Sequence, residues 1–170
     1  MAKEAYIEID GKRTQLTVEQ MKALGIYEEP KANANPFKRV EIRKKYYNIS
    51  TAGDVVSTYE ANDNYDNGRY KAANYCTDKE LMQQRALHET LNRLLWKFSM
   101  ENEGDKIDWE NGKFDKWYIC YENRTEIMRT SDNCHQKNEG TIYFHTMQIA
   151  KRAINEIILP FMKEHPDFIW

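Results

Sequence analysis

Twice in this chain, an aromatic-rich stretch of alternating hydrophobicity is followed by a turn, a returning stretch, a polar loop and an amphipathic helix. The first copy opens at Lys45-Tyr46-Tyr47 and the second at Lys116-Trp117-Tyr118. Alternation with period two predicts strands, and apolar steps of three and four predict helices. The order strand, strand, strand, helix, used twice, points to an α+β fold. The expected architecture is an antiparallel sheet from two β-β-β-α units, with two long helices on one face.

In the first unit, VEIRKKYYNIS reads as a strand with Val40 and Ile42 on one face, and Tyr47 and Ile49 sharing a face further on. Ala52-Gly53-Asp54 makes the turn and DVVSTYE returns. ANDNYDNGR reads as a polar loop with an Asn67-Gly68 turn pair, and YKAANY as a third strand. Thr77 is placed to cap a helix over 78–101, with Glu80 completing a capping box. The apolar stripe of that helix runs through Leu91, Leu94, Leu95 and Phe98. It is too apolar for solvent and predicts one core shared by both units.

The second unit repeats the plan. DKWYICY places Trp117, Ile119 and Tyr121 on one face, Glu122-Asn123-Arg124 turns, and TEIMRTS returns. DNCHQKNEG is a loop, TIYFH a third strand, and 146–163 a helix that Pro160 should kink or end. The interval from Tyr47 to Tyr75 is 28 positions and from Tyr118 to Tyr143 it is 25, a difference that loops absorb at little cost. Few identities survive, so an internal duplication of 39–101 and 114–164 stays open beside two independent units. The aromatic tail EHPDFIW is expected to dock.

Before this 39–170 domain stand an extension, 1–27, and a linker, 28–38. In the extension, Ile7 and Ile9 alternate with charge, Asp10-Gly11 suits a tight hairpin turn, and Thr17 with Gln20 forms a capping box before a short helix ended by Gly25. The linker has prolines, asparagines and no periodicity.

Lys and Arg number 25 against 27 Asp and Glu, a net charge of −2. A simple electrostatic nucleic-acid binder would be strongly basic, and a DNA mimic far more acidic. Direct nucleic-acid binding is therefore not expected. No apolar run is long enough to span a bilayer and the first residues carry no apolar signal, so the expected location is the cytoplasm. The three cysteines, Cys76, Cys120 and Cys134, are odd in number and irregular in spacing, which is no disulfide framework.

Sites of chemistry are sparse. Cys134-His135 is the only adjacent pair of soft ligands, and no paired ligand spacing exists, so no metal and no cofactor is expected. No nucleophile elbow and no glycine-rich phosphate loop occur. Cys120 sits inside a strand as a small core residue. Cys76 precedes a helix, where a thiolate would be stabilised, but no partner base is evident. The chain is accordingly not expected to be an enzyme. What remains is a surface: Asn62, Asp63, Tyr65, Asp66, Arg69 and Tyr70 in the first polar loop, and Arg124, Arg129, His135 and Lys137 in its counterpart. Arg and Tyr are enriched at binding hot spots, and they also suit phosphates and bases.

The stretches LGIYEEP, KKYYNISTAGDVVSTYEANDNYDNGRYKAANYCTDKE, IDWENGKFDKWYICY, GTIYFHTMQIAKRAI and FMKEHPDFIW resemble a set of small, mostly uncharacterised proteins encoded by phages and prophages of Gram-positive bacteria. The resemblance runs from Ile7 to Trp170. Its markers are the tyrosine-rich first strand, the Asn-Tyr before the helix and the aromatic tail. Phenylalanine often stands in that set where this chain has Cys76, which argues against a general catalytic role for the thiol. The resemblance implies a phage accessory protein that binds host machinery in the bacterial cytoplasm. The expected function is stoichiometric inhibition of an anti-phage defence system, with a CRISPR-Cas nuclease as the target. The alternative is a sponge for a nucleotide immune signal, and a third is an enzyme without a recognisable motif. Expected partners are therefore a host defence protein or a nucleotide signal, and a second copy of the chain in a homodimer.

Overall fold

The computed structural model describes residues 6–9, 11–24, 35–133 and 135–170, without the side chains of Ile9, Lys12, Val18 and Lys22. Asp10, Gly25, residues 28–34 of the expected linker and Cys134 lie outside the described residues. The chain divides into two compact units, Met1–Lys38 and Arg39–Trp170.

In the first unit, β1 (Tyr6–Ile9) pairs antiparallel with β2 (Lys12–Gln15), and Ile9 faces Lys12 across the turn. Gly11 has φ +74°, the left-handed conformation that such a tight turn needs. Helix α1 (Val18–Ala23) starts with the reciprocal cap expected from sequence. The Gln20 amide N–H donates to Thr17 Oγ1 at 3.3 Å, and the Thr17 N–H donates to Gln20 Oε1 at 2.8 Å.

The second unit is α+β, with its strands in two small separate sheets rather than one continuous sheet. The first sheet is the hairpin β3 (Lys45–Ile49) and β4 (Val55–Tyr59). It starts at Lys45, not Val40, because the chain turns at Glu41–Lys44 with Arg43 at φ 70°. Ser50 Oγ accepts from the Ala52 and Asp54 amides and closes the hairpin turn.

Two sequence expectations fail after β4. The stretch expected as a polar loop is a helix, α2 (Asn64–Lys71), and YKAANY is the end of that helix and a turn, not a strand. Asn, Asp and Gly are poor helix formers, so propensity pointed elsewhere. What holds α2 is a capping box: Asp63 accepts from the Asp66 amide, and the Asp66 side chain accepts from the Asp63 amide. The third segment of this unit pairs with β3 through a single antiparallel bridge, Tyr47 to Cys76, beside which the Asn74 side chain hydrogen-bonds the Ile49 amide and carbonyl.

Helix α3 (Lys79–Glu101) follows, about 34 Å long at 1.5 Å per residue. Its N-cap is Asp78, whose carboxylate accepts from the Leu81 amide, rather than Thr77. The second sheet, in order β6-β5-β7, comprises β5 (Lys116–Glu122), β6 (Ile127–Asn133) and β7 (Tyr143–Phe144). Helix α4 (Met147–Ala153), capped by Thr146, packs on all three strands. A wider π turn over Ile154–Ile158 joins it to α5 (Leu159–Glu164). Pro160 has no N–H to give the Glu156 carbonyl, and the Leu159 N–H reaches back five residues to Ile154.

Each half thus has a hairpin, a short segment on the other edge of its first strand, and a capped helix. Among the described residues the core along α3 is two clusters rather than one continuous mass. Ile49, Cys76, Met82 and Ala86 pack at its N-terminal end. Leu91, Leu95 and Phe98 pack with Phe144, Ala150, Ile158 and Phe161 further on. Leu94, expected in the stripe, is 39% exposed: the three residues that turn inward are spaced 91, 95, 98. The tail docks as expected, with Phe168 buried against Phe161 and His88.

Candidate functional site

Most of the residues expected to form a binding loop sit on or beside α2. The helix is fixed from below by a buried polar network. Tyr46 and Tyr75 stack with ring centroids 3.9 Å apart and planes 14° from parallel. Their hydroxyls reach two carboxylates that are nearly out of solvent, Asp66 (2% exposed) and Glu60 (3% exposed). Tyr46 donates to Asp66 Oδ1 at 2.5 Å, and Tyr75 donates to Glu60 Oε2 at 2.8 Å.

Buried carboxylates persist when they are paired and fully hydrogen-bonded. Glu60 receives the Arg39 fork, Nε at 3.1 Å and Nη2 at 2.8 Å. The other arm of Arg39 donates to Asn67 Oδ1 at 2.7 Å, which ties α2 to the base of the hairpin. Asp66 Oδ2 accepts from the Ala61 amide at 2.7 Å, and Arg69 donates to the Tyr46 hydroxyl at 2.9 Å. Among the described residues no buried side-chain polar atom lacks a partner.

The electrostatics follow these contacts. The Arg39 hydrogen bond holds the Glu60 carboxyl below its ordinary range against the cost of burial. For Asp66 burial pushes upward, but the bonds from Tyr46, Ala61 and Asp63 and the charge of Arg69 leave it lowered. Burial, and then the bond to Asp66, raises the Tyr46 hydroxyl; Tyr75 is pushed up to about 12, mainly by burial.

The expected site residues therefore separate by role. Asp66 and Asp63 are committed to the cap and the network. Arg69 is half-buried and spent on Tyr46. Tyr70 is 40% exposed and lies edge-on to Tyr75. Tyr65 is 76% exposed on the outer side. Arg124 is exposed in the β5–β6 turn, and Arg129 on β6 pairs with Glu122 at 2.7 Å. No hydrogen bond, ion pair or ring contact among the described residues joins either arginine to α2. Sequence reasoning missed Arg39, Tyr46, Glu60 and Tyr75. The legible signal was the Asp63-x-x-Asp66 cap pattern, which marks a helix start.

A second feature is a cleft of about 530 Å³ in the second half. Its walls come from the connector 106–117 and from 145–148, and include Phe114, Asp115, Lys116 and Trp117. Lys116 is buried and donates to the Asn111 carbonyl at 2.6 Å. Elsewhere the Cys76 thiol is fully buried and pushed up by that burial, the reverse of an activated thiolate. Among the described residues no group of three His, Cys, Asp or Glu side chains could hold a metal ion. Among them, too, no helix is long and apolar enough to cross a membrane.

Comparison with protein-family models, curated proteins and solved structures returns no match.

Proposed function

We propose that this protein works by docking, without turnover, through the outer face of α2. The observation that carries this reading is Tyr65: a tyrosine 76% exposed on a helix whose opposite side is anchored by a buried, fully bonded network. Tyrosine on a rigid element offers large contact area at low entropic cost, the property of interface anchors. The resemblance to phage accessory proteins supplies the context. In it the protein is a stoichiometric inhibitor of a bacterial anti-phage defence system, a CRISPR-Cas nuclease, in the cytoplasm of the host cell. Burial and the raised thiol of Cys76 speak against a cysteine mechanism.

The test is DNA cleavage by purified CRISPR nucleases titrated with the protein. Inhibition that saturates at one protein per nuclease, and is lost in Tyr65→Ala, is the expected result. Inhibition far below stoichiometry, or an equally potent Tyr65→Ala, would contradict docking through α2.

A further inference from the structure

We infer that the cleft between residues 106–117 and 145–148 binds a guanine nucleotide. Its volume, about 530 Å³, falls among small-molecule pockets, which run from roughly 300 to 1,000 Å³. The chemistry of its walls is divided. Phe114 is 64% exposed and makes no ring contact among the described residues, so its face is open to a flat heterocycle. Trp117, half-buried in the same lining, supplies a second aromatic surface.

The two carboxylates of the lining are not equivalent. Asp108 Oδ1 accepts from the Glu110 and Asn111 amides at 3.0 and 3.2 Å, which ties that carboxylate to its own turn. Asp115 makes no hydrogen bond or ion pair among the described residues. An open carboxylate next to an aromatic ring suits guanine, whose N1–H and 2-amino group present two adjacent donors to its two oxygens. Adenine presents a donor beside an acceptor, and that acceptor would meet a carboxylate oxygen.

The basic side chains of the lining are Lys106, Lys116 and His145. Lys106 holds Glu103 at 2.5 Å, which leaves two ammonium donors for a phosphate. Lys116 adds a buried positive charge whose ammonium lies 5.8 Å from the centre of the Trp109 ring. A base on Phe114 and Asp115 with its phosphate toward Lys106 and His145 uses groups of both kinds that the lining offers. This site shares no residue with α2. A protein that docks through Tyr65 but has no nucleotide site would pass the cleavage test and fail the one below.

The experiment is a titration of the full chain, followed by tryptophan fluorescence, with guanosine monophosphate, adenosine monophosphate and ribose 5-phosphate. The guanine nucleotide should bind roughly tenfold or more tightly than the adenine one, and ribose 5-phosphate more weakly than both. Phe114→Ala should weaken the guanine nucleotide roughly tenfold or more through lost stacking. Asp115→Asn should abolish the preference for guanine. Both side chains are exposed, so circular dichroism should report an intact fold. No binding at about 1 mM, equal affinity for the two nucleotides, or an affinity that neither variant changes would overturn the assignment.

Discussion

The Tyr46 hydroxyl donates to the Asp66 carboxylate at 2.5 Å and accepts from Arg69 at 2.9 Å, so one phenol links β3 to both ends of the α2 anchor. Removing that oxygen leaves the ring stack but strips a buried carboxylate of a donor. Bonds to charged groups are worth about 1.5–3 kcal/mol. Tyr46→Phe should lower the unfolding free energy by about that amount in urea titrations. A loss under about 0.5 kcal/mol would show the bond to be dispensable.

The same network sets the response to acid. Glu60 and Asp66 both have folded carboxyls below their ordinary values. Their contribution is therefore complete above the ordinary carboxylate range, about pH 4–4.5, and is lost as pH falls through the depressed values. Glu60→Gln should be less stable than wild type at neutral pH, with the gap narrowing below about pH 4. Thermal unfolding from about pH 7 down to 2.5 measures it, and a constant gap would contradict the paired-carboxylate reading. At the alkaline end the sign reverses. Tyr75 is raised to about 12, so its contribution is complete below the usual tyrosine value near 10 and fades as pH climbs through the folded value.

Two leucines one position apart separate core from surface on α3. Leu95 is buried, whereas Leu94 is 39% exposed. Leu95→Ala should cost about 2–5 kcal/mol by cavity formation. Leu94→Ala should cost under about 1 kcal/mol. Chemical denaturation of the two variants side by side checks the assignment, and equal losses would refute it.

How much of this was legible in the sequence follows from which contacts are local. Helix α3, the turn at Glu122–Arg124 and the Thr17–Gln20 cap are encoded by residues within a few positions of each other, and all were readable. Helix α2 was not. Its residues favour turns. Beyond its local capping box it is anchored by Arg39, itself held by Glu60, and by Tyr46, which are distant in sequence and near in space. The same distance hid the role of Arg69: as a residue type it suggested a hot spot, but its guanidinium is engaged with Tyr46. Leu94 was misplaced because a helical stripe is broader than the contact that buries it.

One side chain hydrogen-bonds the tail backbone on both sides of Phe168. Gln84 Nε2 donates to the Asp167 carbonyl at 2.6 Å, and the Ile169 amide donates to Gln84 Oε1 at 3.0 Å, as a neighbouring strand would. Gln84→Ala should loosen residues 167–170, with faster amide exchange at Ile169 and a stability loss of about 1 kcal/mol. Unchanged exchange at Ile169 would show that Phe168 alone holds the tail.

Docking through α2 is tested most directly by plating a phage on a Gram-positive host armed with a matching CRISPR system and expressing the protein. Wild type and Cys76→Ser should both restore plaques. Tyr65→Ala should not, although circular dichroism shows it folded, because truncating an interface anchor costs about 2 kcal/mol or more, roughly thirtyfold in affinity. Arg69→Ala is a poorer probe, since it also disturbs the Tyr46–Asp66 anchor. No restoration by wild type, or full restoration by Tyr65→Ala with loss in a folded Cys76→Ser, would contradict docking through this helix.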